Sequence, residues 1–134
     1  MESIELTIRT GDEPAVADLT GEVAVFCRDK GDGLVSVFVP HATAGVAVIE
    51  TGAGSDGDLL TALAGLLPKD GRWYHRHGAP GHGADHVLPA LVSPSLTIPV
   101  LRGRPTLGTW QSIVLVDTNV DNPTRTVRLS FLAG

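Results

Sequence analysis

The sequence predicts an α+β domain with a mostly antiparallel sheet, and three features point that way. Sixteen glycines and nine prolines in 134 residues, with only two Trp, one Tyr and three Phe, indicate many tight turns around a core of Val, Leu, Ile and Ala. Short alternating or β-branched runs recur between those turns, as strands do. Two or three other segments repeat their apolar residues at helical spacing. The length suits one domain, residues 1–134, which buries about two-thirds of the surface its unfolded chain exposes.

Ser3 to Arg9 places Ile4, Leu6 and Ile8 on one side, the period of a half-buried strand. After a turn at Gly11 to Pro14, Thr20 is positioned to cap a short helix running to about Lys30, with Val23, Phe26 and Cys27 on its buried face. Leu34 to Val39 lies between Gly33 and Pro40 and reads as a central strand that delivers His41. His41 to Glu50 reads as the next strand, closed by a carboxylate. Ser55 to Leu67 has the clearest helical spacing, stopped by Pro68, and Ser55 with Asp58 has the spacing of a capping box. Glycines and prolines from Gly78 to Gly83 predict an irregular loop, and Asp85 is placed to cap a short helix from His86 with Pro89 in its first turn. Strands return with Ser95 to Val100, Trp110 to Asp117 and Thr126 to Leu132. The turn-rich link Thr118 to Pro123 predicts that the last two pair as a hairpin.

The bulk properties exclude several classes. A net charge of −5 with scattered basic residues argues against nucleic acid or an anionic membrane as the main partner, leaving a small molecule. The N-terminal residues lack the basic and apolar regions of a secretory signal, and no window has the length of a membrane span. Cys27 is the one cysteine and lies in an apolar run, so the expectation is a reduced core residue in a cytoplasmic protein.

Four of the five histidines, His75, His77, His82 and His86, fall between Trp73 and His86. Imidazole is the side chain that most readily binds a metal or moves a proton near neutral pH. Zinc requires three or four nitrogen, sulfur or carboxylate ligands, which two or three of these histidines could supply with His41 or a carboxylate. A solvated His- and Gly-rich loop fits the spacing equally well. His82 and His86 have helical ligand spacing, but Gly81 and Gly83 argue against a helix through His82. Glu50, closing an apolar strand, is either exposed at the strand end or paired in a site. Asp58 reads first as a helix-start residue, and Asp85 as an N-cap or a partner orienting a histidine. Trp110 is a core or interface aromatic, or a pocket wall beside Gln111. No nucleophile elbow, P-loop or dinucleotide fingerprint is present.

Taken together, these segments resemble the YjbQ-like family, which is identified with a secondary thiamine-phosphate synthase activity. The resemblance covers about residues 34 to 131 and rests on HATA from His41 with Glu50, on Asp58–Leu59, and on Trp73-x-His75. It rests further on His86 before Ser95 to Val100, and on Gly103–Arg104 followed by Leu107 to Gln111. This chain departs from the family pattern at Ala42, Thr43, Ile49, Thr51 and Arg102, and carries His77 and His82 in addition. The resemblance implies a β-sandwich-like, homotrimeric subunit with two to three short helices. It also implies a small-molecule enzyme with weak thiamine-phosphate synthase activity, acting as a transferase or with metal assistance, on a substrate expected to be phosphorylated. On that reading His41, Glu50, Asp58 and His86 are catalytic, and Arg104, Thr109, Trp110 and Gln111 bind substrate. His41, His75 and His86, with His77 and His82 as further candidates, would hold a divalent metal, Zn or Mg. A homotrimer that binds metal or metabolite without catalysis is the alternative.

Overall fold

A computed structural model describes all residues, Met1–Gly134. Strands β1 (Glu2–Arg9), β2 (Ala15–Asp18), β3 (Gly33–Phe38), β4 (Ala44–Ile49), β5 (Ser95–Leu101), β6 (Arg104–Pro105), β7 (Ser112–Asp117) and β8 (Thr124–Ala133) form two sheets. One has the order β1-β8-β3-β5-β6 and the other β2-β7-β4, and every strand pair is antiparallel. Helix α1 (Thr20–Cys27) follows β2, and α2 (Ser55–Leu66) and α3 (Gly83–Leu91) lie between β4 and β5. The expected mostly antiparallel α+β sandwich is therefore the observed one, with three helices.

The three-stranded sheet is the middle layer, and alternation along its strands explains why. Ala44 and Val46 of β4 and Ile113 and Leu115 of β7 face the larger sheet, packing with Val35, Val37, Val127, Leu129 and Phe131. Their neighbours Val114 and Val116 face the opposite way, onto Leu63 and Leu67 at α2 and Ala84 and Leu88 of α3. Both faces are thus buried, which accounts for the continuous apolar run Ile113 to Val116. Helix α1 adds Val23, Phe26 and Cys27 to the first core. Cys27 is a free, buried thiol whose pKa is raised by burial, as expected of an inert core cysteine.

Several local expectations are corrected. Strand β2 was not expected; it is a short edge strand that pairs with β7. The β7 and β8 segments do not form a hairpin. Strand β7 pairs with β2 and β4, whereas β8 pairs with β1 and β3, so the link between them crosses from one sheet to the other. Alternation shows why: β7 needs cover on both faces, and β8 buries only Arg125, Val127, Leu129 and Phe131. At α1, Asp18 Oδ1 accepts the Thr20 N–H, and the Thr20 hydroxyl accepts the N–H of Ile113. Thr20 therefore ties the helix to β7 instead of capping it. No side chain caps α2; Gly54 precedes it in a left-handed conformation, so the capping box of Ser55 and Asp58 does not form. Helix α3 starts three residues earlier than expected, placing Pro89 in its interior and Asp85 in its first turn.

Asp117 ends β7 and Arg125 begins the inward face of β8, and they meet in the interior at 0% and 1% exposure. Arg125 Nε donates to Asp117 Oδ2 at 2.7 Å and Nη2 to Oδ1 at 3.0 Å. Nη2 also donates to Thr43 Oγ1 at 2.8 Å, and Thr10 Oγ1 donates to Asp117 Oδ2 at 2.8 Å. The pair joins the two sheets with its hydrogen-bonding groups well occupied. Arg125→Met leaves the Asp117 carboxylate buried without its cation and is expected to cost about 3–5 kcal/mol in urea denaturation. Arg125→Met combined with Asp117→Leu is expected to recover most of that loss, because neither charge is then stranded.

Candidate metal centre

The His loop folds back onto the start of α3. Gly83 allows this approach: a Cβ there would lie 2.4 Å from Trp73 Cβ and 2.5 Å from the His75 carbonyl oxygen. Trp73 anchors the loop from beneath, its indole N–H donating to the Pro68 carbonyl at 2.8 Å. His82 occupies the N-cap position of α3, so the i, i+4 spacing of His82 and His86 is realised across the first helical turn. Gly81 precedes this turn and Gly83 lies within it, and neither prevents it.

Four imidazoles converge there. His75, His77, His82 and His86 each offer a ring nitrogen, and these atoms all lie within 4.8 Å of one another. His82 Nε2 and His86 Nε2 are 3.0 Å apart. Two nitrogens bound to one tetrahedral zinc lie about 3.3 Å apart, so this pair needs to open only slightly. His75 Nε2 is buried and has no hydrogen-bond partner, a cost that a bound cation would remove.

The cluster's charge state suits a ligand set. Burial first, and then neighbouring His77 and His82, lower the pKa of His75. Burial also leads for His86, reinforced by His75, His82 and His77 and opposed by Asp85. Their lone pairs are available at neutral pH without displacing a charge-bearing proton.

The cluster opens onto a cleft of about 410 Å³, where His77, His82 and His86 share the lining with His41, Thr43, Asn119 and Arg125. His41 is separate from the four-imidazole group. Its Nε2 accepts the Thr126 N–H at 3.0 Å, which leaves the ring proton on Nδ1. Pairing of β3 with β8 ends at Phe38 and Arg128, and His41 serves the strand N–H just beyond. Burial and then Arg125 lower the pKa of His41, so it too favours the neutral form.

The remaining expected site residues lie elsewhere in this chain. Glu50 follows the far end of β4 from His41, separated by the strand's length of about 20 Å. Asp58 is exposed in the first turn of α2, at that same end. Trp110 and Gln111 precede β7, whose Ser112 pairs with Ile49, so they also belong to the Glu50 end. Trp110 is 73% exposed, which removes the core role, and Gln111 accepts the Gly108 N–H to close a turn. Thr109 lies exposed in that turn, and Arg104 is exposed on the edge strand β6. Residues that the sequence reading passed over complete the cleft: Arg125, Asn119 and, beside His82, Asp121. Arg125 did carry a signal, because alternation puts it in phase with the inward-facing Val127 and Leu129.

Fold and site together define a small antiparallel sandwich with a histidine-lined cleft at one end of its middle sheet. The family model described as UPF0047 protein YjbQ-like matches residues 4–134, and this chain belongs to that family. A UPF0047 protein of Mycobacterium tuberculosis is 66% identical over 119 residues, covering 89% of this chain and 90% of that protein. YugU of Bacillus subtilis, also a UPF0047 protein, is 31% identical over 133 residues, covering 95% and 96%. A hypothetical protein from Aeropyrum pernix has a crystal structure that superposes with a TM-score of 0.89 at 34% identity, covering all of both chains. A YbjQ-like protein of unknown function from Sulfolobus solfataricus shares the fold, with a TM-score of 0.91 at 22% identity over 99% and 97% of the two chains.

The lowered pKa values of His41, His75 and His86 make stability depend on pH. Each holds its proton less tightly folded than unfolded, so the unfolded chain protonates first as pH falls below about 6.5. The metal-free protein is therefore expected to lose thermal stability as pH falls from about 7.5 through about 6.5, levelling off below the folded pKa values. Unchanged melting temperatures across that range would contradict this assignment.

Proposed function

We propose that this chain is a small-molecule enzyme of the YjbQ-like type whose cleft is served by a transition-metal ion on His75, His77, His82 and His86. The convergence of four ring nitrogens within 4.8 Å, one of them buried without a partner, carries this reading. An all-imidazole donor set suits zinc and its neighbours and does not suit magnesium, which prefers oxygen ligands. When bound, the ion would supply Lewis acidity or a water of lowered pKa.

The protein's own groups define the rest of the site. Arg125, its charge already met by Asp117, borders the cleft with the Asn119 amide, and the metal ion would supply the positive charge that favours an anionic, phosphorylated substrate. His41, neutral with its proton on Nδ1 and its Nε2 held by the Thr126 N–H, is placed to donate a hydrogen bond from Nδ1 to a bound substrate. Weak thiamine-phosphate synthase activity is compatible with such a pocket. Glu50, Asp58, Arg104, Thr109, Trp110 and Gln111 enter this reading as contributions from a neighbouring copy in a homotrimer. Light scattering giving three times the 14.0 kDa chain mass supports that assembly, and a monomer mass excludes it.

A non-catalytic metal-binding role is the second reading, because four imidazoles can fill every position of a tetrahedral ion. The exposure of His77 favours catalysis, since that ligand is free to leave. Elemental analysis is expected to give about one zinc per native chain and none in a folded His86→Ala, His75→Ala variant. No metal uptake by native protein overturns the metal reading. With cobalt in place of zinc, an absorption change on adding azide indicates an open position, and an unchanged spectrum indicates closed, non-catalytic coordination.

A further inference from the structure

His82 is the most buried member of the cluster, and its two ring nitrogens face different surroundings. Nε2 faces His86. Nδ1 lies 3.1 Å from Asp121 Oδ2 and 3.5 Å from Asp85 Oδ2, buried and not yet aligned for a hydrogen bond with either.

We propose that Asp121, on the loop between β7 and β8, is a positioning residue for the four-histidine site: its carboxylate keeps the His82 proton on Nδ1, so that the Nε2 lone pair faces the other imidazoles. This rests on the metal reading given above only in its consequence for affinity.

The two carboxylates near Nδ1 are not equivalent. Asp85 is 1% exposed and already engaged: Thr118 Oγ1 donates to its Oδ1 at 3.0 Å, and Lys69 Nζ lies 3.1 Å from the same oxygen. Asp121 Oδ2 receives only the Ala79 N–H at 3.0 Å, and its charge is not met by any cation. It is also the nearer. Of the two, Asp121 therefore stabilises a proton on Nδ1 more strongly.

The loop's own geometry aims Asp121 at this nitrogen. Asp117 Oδ1 accepts the Asn119 N–H at 2.9 Å, and Asn119 Oδ1 accepts the Asp121 N–H at 3.3 Å. These two turns connect Asp121 to the rigid Asp117–Arg125 pair. On the opposite side, Gly78 has φ +81°, and a Cβ there would lie 2.6 Å from Asp121 Oδ2 and 3.0 Å from His82 Cγ. The backbone is kept bare where the carboxylate approaches the ring.

One consequence concerns His86. With Nε2 of His82 as acceptor, the 3.0 Å contact requires His86 to donate from its own Nε2 in the metal-free protein. With a metal bound, His82 and His86 would be joined through the ion in place of that hydrogen bond, and His86 would carry its proton on Nδ1.

The test reads tautomers directly, by long-range proton–nitrogen correlation spectra of metal-free, ¹⁵N-labelled protein. His82 is expected as the Nδ1–H form in native protein, shifting toward Nε2–H in Asp121→Ala. Zinc affinity, measured by competition with a chromophoric chelator, is expected to fall about 10- to 100-fold in Asp121→Ala and less in Asp121→Asn, which keeps an acceptor oxygen. An Nε2–H tautomer in native protein overturns the proposal, as does a zinc affinity in Asp121→Ala within about twofold of native. If native protein takes up no zinc, the metal reading fails on its own, and the tautomer still decides the role of Asp121.

Discussion

The Asp117–Arg125 pair is the interaction on which the arrangement depends. It joins the last residue of one sheet's central strand to the inward face of the other sheet's longest strand, in a place with almost no access to water. A buried ion pair contributes little net stability against an apolar replacement, but it is intolerant of losing either partner. Its value here is geometric. Thr43, just before β4, and Thr10, just after β1, bind the same pair, so the ends of four strands from the two sheets are tied together at one end of the sandwich. That end is where the cleft opens.

Around this fixed point the fold exposes backbone groups to chemistry that the sheets do not use. Strand β8 outruns its pairing with β3, and His41 supplies the missing acceptor for Thr126. Beyond β7, the alternating Asp and Asn side chains of the crossover bind successive backbone N–H groups instead of forming a hairpin turn. The crossover is ordered by its own side chains, and it extends from the sandwich core to the ring of His82. The His loop approaches from the other side and is held by Trp73 and by the absence of a side chain at Gly83. Structural polar groups and those of the candidate site therefore lie side by side, and the pKa directions of His41, His75 and His86 reflect the burial this imposes.

The histidine cluster could be identified in the sequence because its members lie close together along the chain. Its geometry could not, since Gly81 and Gly83 lower helix propensity while tertiary contact holds the turn in place. Glu50 was correctly read as the close of an apolar strand, and the structure gives it the exposed alternative. His41 and Glu50 bracket a single strand, so local sequence alone cannot place them on one site when the strand itself separates them. Arg125 stood in phase with core residues, but a charged residue in that phase has meaning only once its partner across the sheets is known.

The sequence by itself determined the period of each long element, the antiparallel α+β class, the burial of Cys27 and the concentration of imidazoles in one segment. These follow from local preferences and from alternation, which act over a few residues. Only the tertiary structure decided that β7 and β8 belong to different sheets, that His82 and His86 share a helical turn, and that Asp121 meets His82. Each of those depends on which surfaces must be covered and which buried charges must be paired. Such demands are settled between residues far apart in the chain, where no local pattern records them.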